Sequence, residues 1–261
     1  PNTGVANTFG WGNMPEYGIP NCMTADGPAG LRIAPECGVT TTAWPCATLL
    51  AATWNPNVVY QVGAAGGKEV KENNIAAWLT PALNIHRSPL CGRNFEYYSE
   101  DPLLAGVLAG AMVKGIQSQG VAATVKHFAL NNKETDRKHS DSRVSERAAR
   151  EIYLKAFEYV IKGAKPWAVM SSYNIINGCY ASENKELLED ILRDEWGFDG
   201  MVTTDWWTLG EHYKEVKAGN DMKMACGDPK RLKEAMDQGL LTRQDLGHCA
   251  ERVLNLILKL D

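Results

Sequence analysis

Short apolar runs that stop abruptly at polar residues alternate with amphipathic helical stretches along most of this chain. Asp101 before Pro102 marks a helix start. Leu104, Val107, Leu108, Ala111, Met112, Gly115 and Ile116 then follow helical spacing up to Gly120. Val121–Val125 reads as a strand and ends in Lys126 and His127. The pattern recurs. Ser145 caps a helix carrying Ile152, Tyr153, Ala156, Phe157, Val160 and Ile161, and the strand Trp167–Met170 ends in Ser171, Ser172 and Tyr173. Asn184 caps a helix with Leu187, Leu188, Ile191 and Leu192, and the strand Met201–Thr204 ends in Asp205 and Trp206. Asp221–Ala225 is a further strand candidate, and Thr242 caps the last helix.

Such alternation implies a parallel sheet covered by helices. At 261 residues the chain is close to the ~250 typical of a (β/α) barrel. A doubly wound open sheet is the rival, but no GxGxxG or GxxxxGK[ST] follows any strand. The barrel is favoured because Lys126, Tyr173 and Asp205 each fall just past an apolar strand, where barrel sites are built.

A net charge of −4 with no basic run gives no footprint for nucleic acid. No stretch of about 18 apolar residues exists, so no transmembrane helix is expected. The seven cysteines are odd in number, contain no CxxC, and read as reduced thiols rather than a disulfide framework. The chain opens PNTGVANTFG without a basic-then-apolar leader, so a cytoplasmic setting is the expectation. His86, His127, His139, His212 and His248 form no HxH or HExxH, and no metal or other cofactor is expected. GxSxG is absent as well.

Several residues carry chemistry on their own terms. Asp26 precedes a rigid Gly27-Pro28 turn and reads equally well as a turn-forming carboxylate. Arg93 and Glu96 are spaced to form an ordinary surface pair. A lysine at a buried strand end, Lys126, needs an acceptor; structural pairing, a Schiff base and a donor to a polyhydroxylated ligand are the alternatives. Asp205 beside Trp206 and Trp207 suits a sugar site, where a ring face covers the pyranose and a carboxylate reaches the anomeric carbon. Two core tryptophans and a capping aspartate are the plainer reading.

Taken together, the motifs resemble the catalytic barrel of family 3 glycoside hydrolases, especially the β-glucosidases. The matches run in family order: YGIPNCMTADGPAGLR at 17–32, LAATWN at 50–55, PALNIHRSPLCGRNFEYYSEDP at 81–102, KHFALNNKETDR at 126–137, VSERAAREIYLKAFE at 144–158, VMSSYNIING at 169–178, LLEDILRDEWGFDGMVTTDWW at 187–207 and AGNDMKMA at 218–225. The resemblance implies one TIM-type (β/α) barrel over residues 1–261, incomplete or irregular at its N-terminal entry. It implies a retaining exo-β-glycosidase with Asp205 as nucleophile. Asp26, Arg93, Lys126, His127 and Arg137 resemble the hydroxyl ligands, Tyr173 the aromatic hydroxyl beside the nucleophile, and Trp206 the platform under the sugar. Arg32, Glu96 and Met170 resemble supporting residues. The implied substrate is a β-linked oligosaccharide or aryl β-glucoside. On electrostatic grounds Lys126, Arg93 and Arg137 are expected to hold the Asp205 pKa down.

The sequence departs from the family at two points. Thr204 stands where a serine usually precedes the nucleophile. Nothing resembles the α/β sandwich domain that usually supplies the acid/base, so that domain is expected elsewhere in the protein or on another chain. A sugar-binding but catalytically incomplete fragment is the competing reading. Some β-N-acetylglucosaminidases of the family place a His–Asp pair on the loop after the KHF strand, and His139 with Asp141 is the counterpart candidate; a β-xylosidase is a further alternative.

Overall fold

In the computed structural model, which describes residues 8–225 and 227–260, the apolar runs sort into strands largely where the sequence places them. In chain order these are β1 (Thr8–Met14), β2 (Ile19–Ala25), β3 (Ala77–Trp78), β4 (Ala122–Phe128), β5 (Asp141–Ser142), β6 (Ala168–Ser171), β7 (Ile175–Ile176), β8 (Cys179–Tyr180) and β9 (Met201–Thr204). The main sheet has the order β1-β2-β3-β4-β6-β9. From β2 to β9 every pairing is parallel, whereas β1 runs antiparallel to β2. The result is a curled, incomplete and irregular (β/α) barrel: its entry strand β1 is antiparallel, and among the described residues no strand joins the main sheet after β9. Strands β5, β7 and β8 form a small separate sheet.

The helices are α1 (Ala47–Ala51), α2 (Pro56–Glu72), α3 (Pro102–Gln117), α4 (Glu146–Ala148), α5 (Lys155–Ala164), α6 (His212–Ala218), α7 (Pro229–Asp237) and α8 (Arg243–Leu260). Asp101 caps α3 by accepting the Leu104 N–H at 2.7 Å. The helix expected after Ser145 is interrupted by a π-helical stretch, Ala149–Tyr153, between α4 and α5. The segment Glu186–Glu195 is π-helical throughout. Its buried apolar positions form two adjacent pairs, Leu187–Leu188 and Ile191–Leu192, whose members are three to five residues apart from one pair to the other, a spacing that a wider turn serves as well as an α-turn. Asp221–Ala225 is not a strand: only Met222 bridges to the sheet, opposite Thr203.

Alternation along the strands divides two cores. Ala123, Val125, Val169 and Val202 face the helices and join one large apolar cluster. Cys22, Ala77, Ala122, Ala168 and Met201 face the other way, near the strand starts, and pack with Trp11 and with Leu256 and Ile257 of α8. The last helix thus closes the N-terminal end of the barrel. The same alternation sends Lys126 inward, four residues beyond Ala122, into the opposite end.

Candidate active site

At the C-terminal ends of the strands lies a cavity of about 410 Å³. Asp26, Arg93, Lys126, His127, Arg137, Tyr173, Asp205 and Trp206 all line it. The strands deliver five of these directly: Asp26 follows β2, Lys126 and His127 belong to β4, Tyr173 follows β6 and Asp205 follows β9. Arg93 comes from the loop before α3 and Arg137 from the loop after β4. Met170, Arg32 and Glu96 also line the cavity.

On one side, Asp26 meets two cations. Its Oδ1 accepts from Lys126 Nζ at 2.6 Å and its Oδ2 from Arg32 at 3.1 Å. The turn that presents it depends on Gly27, whose φ is +115° and where a Cβ would lie 1.8 Å from the Gly30 carbonyl oxygen. The Asp26 side chain therefore faces the cavity as an ion-paired carboxylate. Burial pushes its pKa up, but Lys126, the Gly27 N–H and Arg32 together outweigh burial and hold it at about 2. A carboxyl with a depressed folded-state pKa contributes stability that is present above its unfolded pKa and lost as pH falls through the folded one. Asp26→Asn is accordingly expected to flatten the stability–pH curve between about pH 4 and pH 2. Acid titration of wild type and variant by circular dichroism checks this; parallel curves in that window would refute the assignment.

On the other side, Arg93 organises the polar groups. Its Nε donates to Glu96 at 2.6 Å and its Nη2 to His127 Nε2 at 2.9 Å. The Arg93–Glu96 pair is not the exposed surface pair that its spacing suggests, since both side chains are largely buried. His127 is fully buried, and burial together with Arg93, Lys126 and Arg137 pushes its pKa well down, so the ring is neutral. Arg137 donates to Glu134 at 2.8 Å and lies over the Tyr173 ring at 4.5 Å.

Asp205 sits between these groups. Its Oδ1 accepts the Trp206 backbone N–H at 2.7 Å. Its Oδ2 lies 3.9 Å from His127 Nε2 and is buried with no hydrogen-bond partner within 3.5 Å among the described residues, although the Tyr173 hydroxyl is near enough to the carboxyl to favour its charged form. The expected depression of its pKa does not occur. Burial dominates and raises it; the Trp206 N–H, Arg93, Lys126 and Tyr173 oppose burial without cancelling it. Arg137, the third cation expected to act on it, is turned to Glu134 instead.

The structure separates two groups that the sequence left adjacent. His139 pairs with Asp136 at 2.8 Å on an exposed loop and does not line the cavity. Asp141 accepts instead from Arg143 and from the Gly178 N–H. Trp207, the second of the tandem tryptophans, also lines the cavity, as do Leu79 and Phe95, to which the sequence assigned no role; Phe95 and Trp207 are exposed side chains. Glu134 was also missed. Its one legible signal was the spacing of three residues to Arg137, which is a common surface pattern.

Comparisons with known proteins bear on the family and the fold. The model of the glycosyl hydrolase family 3 N-terminal domain matches residues 13–256. The chain is 67% identical over 246 residues to β-glucosidase A of Butyrivibrio fibrisolvens, covering 94% of this chain and 30% of that protein. It is 44% identical over 252 residues to an exo-α-(1→6)-L-arabinopyranosidase of Bifidobacterium longum, covering 93% of this chain and 33% of that protein. Among solved structures it matches β-glucosidase 3B of Thermotoga neapolitana in complex with glucose, with a TM-score of 0.92 and 46% identity. That match covers 96% of this chain and 37% of the other. The chain thus spans about a third of the length of the relatives it matches. On the family match and these identities, the chain belongs to glycosyl hydrolase family 3, as its N-terminal domain.

Proposed function

We propose that this chain forms the sugar-binding and nucleophile-bearing part of a retaining exo-β-glucosidase. The single observation that carries the reading is Asp205 Oδ2, a buried carboxylate oxygen without a hydrogen-bond partner within 3.5 Å among the described residues in a cavity lined by donors. Desolvation makes such an oxygen a stronger nucleophile than a hydrated one, and its sister oxygen is pinned by the Trp206 N–H. In the first step Oδ2 bonds to the anomeric carbon while the glycosidic C–O bond breaks and the departing oxygen takes a proton. In the second, water attacks the same carbon, gives up a proton and releases Asp205. Lys126, Arg93 and Arg137 are donors to hydroxyls of the terminal sugar, and Asp26 is the acceptor facing them.

The proton donor is not found among the paired carboxylates of the cavity. Asp26 is held at about 2 and is ionised at neutral pH, and Glu96 is salt-bridged to Arg93. We assign the acid/base to an α/β sandwich domain in the same or another chain, a reading supported by the share of its relatives that this chain spans. The preference for glucosides rests on the 67% identical relative named as a β-glucosidase, against 44% for the arabinopyranosidase.

The test is covalent trapping. A 2-deoxy-2-fluoro-β-glucosyl fluoride should add one sugar mass to the full-length protein, and peptide mapping should place it on Asp205; an adduct at any other residue sinks the assignment. Binding gives a second check. Lys126→Ala or Asp26→Ala is expected to weaken glucose binding by about 1.5–3 kcal/mol each, the range for a hydrogen bond to a charged group. Calorimetric titration that finds glucose affinity unchanged in both would make these residues structural.

A further inference from the structure

Tyr97 does not line the cavity, yet it completes a hydrogen-bond chain that starts there. It is fully buried. Its hydroxyl lies 3.3 Å from His127 Nδ1, accepts from Asn131 Nδ2 at 3.2 Å and donates to the Asn131 carbonyl at 3.3 Å. At the other end of the imidazole, Arg93 Nη2 lies 2.9 Å from Nε2. A guanidinium only donates, so Nε2 presents its lone pair and the ring hydrogen must sit on Nδ1. That hydrogen needs an acceptor, and the Tyr97 hydroxyl is the group at hand, its own hydrogen being directed to Asn131. Asn84 fixes the backbone of His127 from both sides, accepting its N–H at 2.8 Å and donating to its carbonyl at 2.9 Å. The ring's register is therefore set by the main chain and its tautomer by its two hydrogen-bond neighbours.

The consequence reaches Asp205. In the Nδ1–H tautomer the Nε2 atom facing Asp205 Oδ2 at 3.9 Å carries no hydrogen, so the imidazole cannot donate to that oxygen. In the other tautomer an N–H would point at Oδ2 and at Arg93 together, hydrogen-bonding the former and repelling the latter. We infer that Tyr97 is a positioning residue of this site: it holds His127 in the Nδ1–H tautomer, which anchors Arg93 and leaves Asp205 Oδ2 unencumbered. Burial keeps the Tyr97 phenol neutral, so the arrangement does not change as neutral pH is crossed.

The experiment has two arms on the full-length protein that carries this chain. Ring ¹⁵N NMR of the wild type, with His127 assigned by difference against His127→Gln, should show Nδ1 protonated and Nε2 bare. A protonated Nε2 overturns the inference without any Tyr97 variant. The second arm is a double-mutant cycle on kcat/KM for an aryl β-glucoside, and it rests on the β-glucosidase reading. Tyr97→Phe should lower kcat/KM about tenfold in the presence of His127, an order of magnitude typical of leaving one buried donor unpaired. In a His127→Ala background it should cost less than about twofold, because the residue it acts through is gone. Equal losses in both backgrounds would mean that Tyr97 supports the fold alone, and no loss in either would mean that it does nothing for the site. If Tyr97→Phe does not fold, the wild-type His127 Nδ1–H resonance decides: a downfield, exchange-protected signal with a cross-relaxation contact to the Tyr97 ring supports the bond, and its absence overturns the inference. Absence of glucoside turnover in the wild type would count against the function and leave the tautomer result standing.

Discussion

Asp205→Asn in the full-length protein should cut glucoside hydrolysis by about 10⁴–10⁶-fold, the range seen when a catalytic nucleophile or its essential partner is removed. It should also abolish labelling by the fluoroglucoside. The amide keeps the shape of the carboxylate and can keep the Trp206 N–H bond to its oxygen, so the loss falls on attack at the anomeric carbon. The same substitution has a second, opposite expectation for stability. The folded-state pKa of Asp205 is raised, with burial as the leading cause. A carboxyl of this kind stabilises the fold when protonated, and that contribution is lost as pH rises from the unfolded pKa through the folded one. Above the unfolded pKa this carboxyl therefore costs the fold free energy relative to a neutral amide, and at neutral pH Asp205→Asn should melt at a higher temperature than wild type. The gain should shrink as pH falls below the ordinary carboxyl pKa of 3.8. A variant that is inactive but less stable at neutral pH would contradict the electrostatic description of the site; one that retains normal turnover would remove Asp205 from the mechanism.

The second large effect concerns the proton donor. Residues 1–261 expressed alone, and shown by circular dichroism to be folded, are expected to turn over cellobiose about 10²–10⁴-fold more slowly than the full-length protein, the usual contribution of general acid catalysis. Glucose is a poor leaving group and departs only if its oxygen gains a proton, whereas dinitrophenolate needs none. Glycosylation of Asp205 by a dinitrophenyl glucoside should therefore survive far better in the isolated chain, as read by the burst of released phenolate. Adding the sandwich domain in trans or by fusion should restore cellobiose turnover. Cellobiose cleavage at an ordinary enzyme rate of about 10 s⁻¹ by the isolated chain would place the acid within it. His139 would not be an obvious candidate, since it is paired with Asp136 away from the cavity.

The sequence makes the strand ends legible for a simple reason. A run such as Met201–Thr204 is free of charge because it is buried, and the first carboxylate after it, Asp205, marks where the strand leaves the core. The same logic finds Lys126 and Tyr173. Residues on loops are less legible. The Arg93–Glu96 pair looks like a surface pair because i,i+3 spacing is the same whether or not water surrounds it. The irregular turns of 186–195 were likewise invisible, since the spacing of their buried residues fits more than one helical pitch, and those of 149–153 bury no residue that could mark a pitch.

Local sequence by itself determined the alternation of strands and helices, the parallel sheet it implies, and the polar residues that end each strand. Those are near-neighbour properties: burial period, capping and the point at which an apolar run stops. Only the tertiary structure decided which partners those polar residues meet. Lys126 reaches Asp26 across 100 residues of chain, Arg93 reaches His127 across 34, and Arg137 turns to Glu134 rather than to Asp205. The upward direction of the Asp205 pKa shift followed from the same closure, because desolvation depends on how completely distant segments cover a group, and no window of sequence contains that quantity.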